Sequence, residues 1–166
     1  MKKEILIEFV WGNLTEDLKK RVIDFWIMEK AITKKEDAEN RVNDLLAIAK
    51  IDDTLVGVAT GIVTPHPQLK SKVVFYRTYI AQDHRNNKIA QRLFLKSFEE
   101  LDKIDDLKKD NVMGLLIAFQ SPVLVENYIK DQKPVLEKFH DLTFIGYDQT
   151  GVPMRIAFFN NVSIKI

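Results

Sequence analysis

Apolar positions along the chain switch between a period of two and a period near 3.6, and the switches divide it into elements. Residues 4–11 are apolar and rich in β-formers, which predicts a first strand. Leu18, Val22, Phe25 and Met28 then recur at helical spacing, so this helix should pack one face on a sheet. Asn13 or Thr15 can cap it, and Glu16 and Asp17 suit the positive end of its dipole. A charged second helix is predicted over 34–45, with Ala38, Val42 and Leu45 inward. Residues 46–50 and 54–63 read as a hairpin turning at Asp52-Asp53. Two prolines in 64–72 predict a loop, with His66 in it. Residues 72–81 carry the densest run of β-formers. Along that strand Phe75, Arg77 and Tyr79 share one face, and Tyr76, Thr78 and Ile80 the other.

After Asp83-His84-Arg85 a helix is predicted to about Ile104, with Ala90, Leu93, Phe94, Phe98 and Leu101 as its apolar face. Residues 105–111 read as a charged connector, and 112–119 as a central strand, apolar on both faces. Ser121-Pro122 opens another helix, which Pro134 breaks or kinks. Residues 142–147 and 154–160 close as a hairpin around Gln149-Thr150-Gly151. This order predicts an α/β (α+β) fold, a mixed sheet with helices on both faces. No composition shift marks a boundary, so 1–166 is expected to be a single domain.

Composition narrows the chemistry. With 25 basic against 24 acidic residues the net charge is +1, so neither nucleic acid nor an anionic membrane is an expected partner. The absence of cysteine excludes a disulfide framework, a Cys-ligated metal and a catalytic thiol on this chain, and suits a cytoplasmic protein. Neither a secretory leader nor a membrane span is expected. His66, His84 and His140 lack ligand spacing, so no metal is expected. Phosphate loops of the Gly-x-x-x-x-Gly-Lys type, Gly-x-Gly-x-x-Gly and the Gly-x-Ser-x-Gly elbow are all missing.

The informative segment is Ile80-Ala81-Gln82-Asp83-His84-Arg85-Asn86-Asn87-Lys88-Ile89-Ala90-Gln91-Arg92-Leu93-Phe94. A turn feeding straight into a helix presents unpaired N–H groups and the positive end of the dipole, a setting that binds phosphate. Arg85, Lys88, Arg92 and Lys96 follow at spacings of three and four residues, one basic stripe along the helix. The stripe reads either as part of an anion site or as an ordinary solvated face. A nucleic-acid-binding reading would rest on it alone.

At these residues the chain resembles the GNAT superfamily of acyl-CoA N-acyltransferases. In that family a strand ending in an apolar residue runs through an (Arg/Gln)-x-x-Gly-x-(Gly/Ala) turn into a helix. Arg85 matches the first motif position, Ala90 the last, Ile80 the strand end, Ile89 the apolar residue before the small one, and Leu93 the helix leucine. Element order agrees from Ile5 to Asn160, and the Asp52-Asp53 hairpin, with Thr54-Leu55-Val56-Gly57-Val58-Ala59, looks like the family's second and third strands. The resemblance implies a GNAT-like mixed, mostly antiparallel sheet of about seven strands. Two positions depart from the pattern. Lys88 stands at the motif glycine, and Leu136 stands where many members carry the tyrosine that protonates the leaving thiolate.

The resemblance implies an N-acetyltransferase that moves an acetyl group from acetyl-CoA, or another acyl-CoA, to a primary amine by direct attack. The amine would be a small molecule or a peptide. The cofactor would be bound by Ile80, Ala81, Arg85, Asn86, Asn87, Lys88, Ile89, Ala90 and Arg92, with the pyrophosphate on the N–H groups of roughly Asn86 to Ala90 and the thioester carbonyl meeting the backbone N–H near Ile80. Tyr128 is the candidate substitute for the missing tyrosine. Glu126 and His84 are the candidate bases. Arg77 and Tyr79 are the candidate substrate contacts, with a buried ion pair as the other reading of Arg77. Exposed sheet edges leave room for a homodimer. The alternative is a non-catalytic GNAT-like module that binds CoA or a protein, motivated by the departures at Lys88 and Leu136.

Overall fold

The β-former runs become seven strands in the computed structural model, which describes residues 3–85, 87–118 and 142–162. They are β1 (Ile5–Phe9), β2 (Leu45–Ile51), β3 (Thr54–His66), β4 (Ser71–Ile80), β5 (Val112–Ala118), β6 (Thr143–Tyr147) and β7 (Pro153–Phe158). Their order in one sheet is β1-β2-β3-β4-β5-β7-β6. β1–β2, β2–β3, β5–β7 and β6–β7 pair antiparallel, and β4–β5 pairs parallel, so the sheet is mixed and mostly antiparallel. The described helices are α1 (Glu16–Met28), α2 (Lys35–Arg41), α3 (Ile89–Asp102) and α4 (Asp105–Lys109). The helix predicted from Ser121, with Pro134 and Leu136, lies outside the described residues.

The chain divides into two compact units, Met1–Gly61 with Thr78–Glu100, and Ile62–Arg77 with Leu101–Ile166. In the first unit, Thr15 rather than Asn13 caps α1, its Oγ1 accepting the Leu18 N–H at 3.1 Å. Val22, Phe25 and Trp26 of α1 are buried in a core with Val42, Leu45, Ile48 and Val58. Met28, expected on that face, is 72% exposed: the helix ends there, and its buried face runs through Val22, Phe25 and Trp26. α2 stops at Arg41, short of the predicted end. Val42–Asp44 tightens into a single 3₁₀ turn, and Leu45 already belongs to β2. The hairpin turn is as predicted. Asp52 and Asp53 both take positive φ, 48° and 62°, the pattern of a two-residue turn matched to strand twist.

In the second unit β3 continues through Thr64–Pro65 to His66, where a loop was predicted. Pro65 is exposed near the end of the strand, where a missing N–H is tolerated. Only Pro67–Leu69 and Lys70, at φ 48°, make the connection to β4. Residues 105–109, predicted as a connector, form the short α4, with Asp105 and Asp106 in its first turn and Lys108 and Lys109 in its last, each suited to the dipole. β5 is central and its residues Val112 to Leu116 are buried, as expected. Val73, Leu116, Met154 and Ile156 form the core here. The closing turn between β6 and β7 is held by Asp148, whose Oδ1 accepts from the Thr150 N–H, the Thr150 hydroxyl and the Val152 N–H at 2.7–2.9 Å.

His66 is buried rather than on a surface loop, and its Nδ1 has no hydrogen-bond partner among the described residues. Burial pushes its pKa below the ordinary histidine value of 6.5. The folded chain therefore resists a proton that the unfolded chain accepts. Stability from this residue is complete above about pH 6.5 and is lost as pH falls from there toward the lower folded pKa, at a slope of at most about 1.4 kcal/mol per pH unit. Urea unfolding at pH 7.5 and 5.5 is expected to show a steeper acid loss in the wild type than in His66→Gln. Parallel losses in the two proteins would refute this.

Candidate functional site

The end of β4 and the start of α3 lie in the first unit and are tied to β3 and α1. The Ala81 N–H donates to Val56 O of β3 at 2.9 Å. Strand alternation then turns the N–H and C=O of Ile80 the other way, off the β3 ladder. The Ile80 carbonyl accepts from Arg85 Nε at 3.3 Å, and the Arg85 guanidinium lies 5.5 Å above the Tyr79 ring. Gln82–His84 forms a 3₁₀ turn, and α3 starts at Ile89. Gly57 of β3 makes room for this corner. A Cβ there would stand 2.9 Å from Ile80 Cδ1, 3.1 Å from Leu93 Cδ1 and 3.2 Å from Ile89 Cγ2.

The phase of α3 differs from the predicted one at its first turn. Ile89, Leu93, Phe94, Phe98 and Leu101 are buried, whereas Ala90 is exposed. The larger apolar residue takes the inner position and leaves the small one on the open side of the turn. Ser97 is also fully buried, its hydroxyl satisfied by Leu93 O at 2.7 Å.

The basic stripe is not four equivalent cations. Arg85 is held as described, Arg92 donates to Ile5 O at 2.9 Å, and Lys96 pairs with Glu100 at 2.8 Å. Lys88 is exposed, and its ammonium has no partner among the described residues. Its backbone sits at φ 58°, the left-handed conformation that glycine adopts freely and that costs an L-residue about 1–2 kcal/mol. The lysine at the motif glycine keeps the glycine's backbone shape.

Tyr79 is half-buried, edge-on to Phe25 with centroids 6.0 Å apart, and its hydroxyl donates to Glu29 O at 3.3 Å. Glu29 was not singled out in the sequence. Its Oε2 accepts the Gln82 N–H at 3.1 Å, so one residue at the end of α1 touches the chain on both sides of Ile80-Ala81. A sequence signal existed, since Glu29 places an acid at the negative end of a helix with no basic residue in its last turn. Two residues on, a cleft of about 490 Å³ opens, lined by Ala31, Thr33, Asp37, Asn40, Arg41 and Asp44 among others. His84 is half-buried in the turn. Arg77 falls in the second unit. It is exposed, not buried, with its guanidinium 4.9 Å above the Phe75 ring. Asn86, Glu126 and Tyr128 lie outside the described residues. Among the described residues no helix is long and apolar enough to cross a membrane, and no three acidic or histidine side chains cluster as metal ligands would.

The fold recurs in solved structures. A GNAT-family acetyltransferase from Streptococcus pneumoniae superposes with a TM-score of 0.59 at 12% identity, covering 93% of this chain and 99% of the other. The ribosomal-protein-alanine N-acetyltransferase of Brucella melitensis gives 0.58 at 16% identity, covering 92% and 99%. The chain has the GNAT fold. A third GNAT-fold neighbour, yncA from Salmonella typhimurium, was determined with its cofactor acetyl-CoA; it gives 0.57 at 10% identity, covering 97% and 98%. No protein-family model matches the sequence, and neither does any curated protein.

Proposed function

We propose that the chain is an acyl-CoA N-acetyltransferase that takes acetyl-CoA at the β4–α3 turn and acetylates a primary amine by direct attack. The observation that carries this reading is Lys88, a residue in a glycine's conformation whose ammonium has no partner among the described residues, at the turn of a GNAT fold. Its charge and the first N–H groups of α3, at Lys88, Ile89 and Ala90 with Asn86 and Asn87 before them, would receive the pyrophosphate. Arg92 would contribute less, because its side chain is engaged with β1. The Ile80 N–H, turned off the β3 ladder, is the candidate donor to the thioester oxygen. Tyr128 is the candidate proton donor to the leaving thiolate, and the acceptor is a small-molecule or peptide amine.

Thermal unfolding with acetyl-CoA tests the binding half. At about a hundredfold excess over the dissociation constant, the ligand should stabilise the fold by roughly 2.7 kcal/mol. That corresponds to a midpoint rise of roughly 5–10 °C for a chain of this size. Thiol release with a panel of primary amines tests the chemistry. No shift at millimolar acetyl-CoA refutes the reading. A shift without thiol release from any amine identifies a CoA-binding module instead.

A further inference from the structure

We infer that Glu29 is the carboxylate that receives the acceptor amine, binding its ammonium form and taking its proton; this rests on the acetyltransferase reading above. Glu29 closes α1 in the last position before Lys30, whose φ of 57° ends the helix. The helix dipole opposes an anion there, so local structure does not account for an acid at this position. Its position is nevertheless fixed by two bonds to the far side of the site. Oε2 accepts the Gln82 N–H at 3.1 Å, and the backbone oxygen accepts the Tyr79 hydroxyl at 3.3 Å. Residues 79 and 82 flank Ile80, whose N–H is the proposed donor to the thioester oxygen. The carboxylate is therefore held beside the point where the thioester would lie, with the cleft at Ala31 and Thr33 opening immediately along the chain.

The chemistry balances without any further group. The acceptor enters as an ammonium, and one N–H proton passes to Glu29. The freed nitrogen lone pair forms the C–N bond to the thioester carbon. The C–S bond then breaks, its electron pair leaving on sulfur. The thiolate takes up one proton, made good by the second proton lost from nitrogen as the amide forms, and Glu29 releases its proton to water. The products are an N-acetyl amine, the free thiol of CoA and one proton.

Glu29→Gln separates this role from a structural one, because glutamine keeps an oxygen to accept the Gln82 N–H and loses only the charge. Thiol release would be followed with benzylamine and other primary alkylamines, cationic at pH 7.5, and with aniline, neutral at that pH. Calorimetry would follow acetyl-CoA binding by wild type and variant. The expected result is a fall in kcat/KM of about 100-fold or more for the alkylamines and a change within about threefold for aniline, with acetyl-CoA affinity unchanged. Glu29→Ala, which also removes the bond to Gln82, should lower both rates. Equal losses on both amine classes in Glu29→Gln, or no loss on either, would overturn the assignment while leaving the acetyltransferase reading intact. A wild type that binds acetyl-CoA and releases no thiol to any amine would overturn both.

Discussion

Gly114→Ala is expected to cost about 3 kcal/mol or more, lowering the thermal midpoint by roughly 6–12 °C. Gly114 lies inside β5, opposite Phe158 in the antiparallel pairing with β7. A Cβ built there would run into the carbonyl oxygen of Ala157 and approach its carbon to 2.8 Å. The obstacle is backbone, held by its own ladder, so no rotamer change relieves it. The β5–β7 pair must spread, and the neighbouring core residues Leu116 and Ile156 part with it. Gly57→Ala provides the contrast, because its nearest neighbours are the side-chain tips of Ile80, Leu93 and Ile89. Those can turn aside, and the expected loss is about 1 kcal/mol. Urea unfolding of both variants checks the ranking. A Gly114→Ala protein as stable as the wild type would show that β5 and β7 do not approach this closely.

What the sequence made legible follows from how local each cause is. The Asp52-Asp53 turn, the α1 cap (narrowed to Asn13 or Thr15) and the buried character of β5 depend on a few adjacent residues, and all three were readable to that extent. The element order and the motif from Ile80 to Leu93 carried the fold in the same way. Phase was harder to read. Met28 and Ala90 sit at helical spacing from buried residues, yet both are exposed, while Trp26 and Ile89 take inner positions. Prolines in 64–72 masked the end of β3, since a strand near its terminus can do without one donor. Within the candidate site, Arg85, Lys88 and Arg92 were visible as a row, but spacing says nothing about which cation the fold has already engaged. Glu29 was missed because its partner, the Gln82 N–H, is 53 residues away and carries no side-chain signal.

Lys88→Gly is expected to move stability and ligand affinity in opposite directions. Glycine adopts φ 58° without the steric cost that lysine bears, about 1–2 kcal/mol, though it also loosens the unfolded chain. The net gain should be about 0.5–1 kcal/mol in the absence of ligand. The same change deletes the one cation of the stripe that has no partner among the described residues. A charge-assisted hydrogen bond to phosphate contributes about 1.5–3 kcal/mol, so acetyl-CoA should bind about 10–100-fold more weakly. Lys88→Glu keeps the backbone strain and reverses the charge, and should weaken binding beyond the glycine variant, most at low salt. Calorimetric titration of the three proteins with acetyl-CoA, alongside urea unfolding of each, separates the two contributions. A glycine variant that is more stable and binds as tightly as the wild type would mean that residue 88 supplies only a backbone shape and that the phosphates are held by the N–H groups of the turn. A glycine variant that is both less stable and weaker would mean that the lysine side chain supports the fold itself. Strain retained at an exposed lysine, where glycine would relieve it, is accounted for if the ammonium is what holds the ligand.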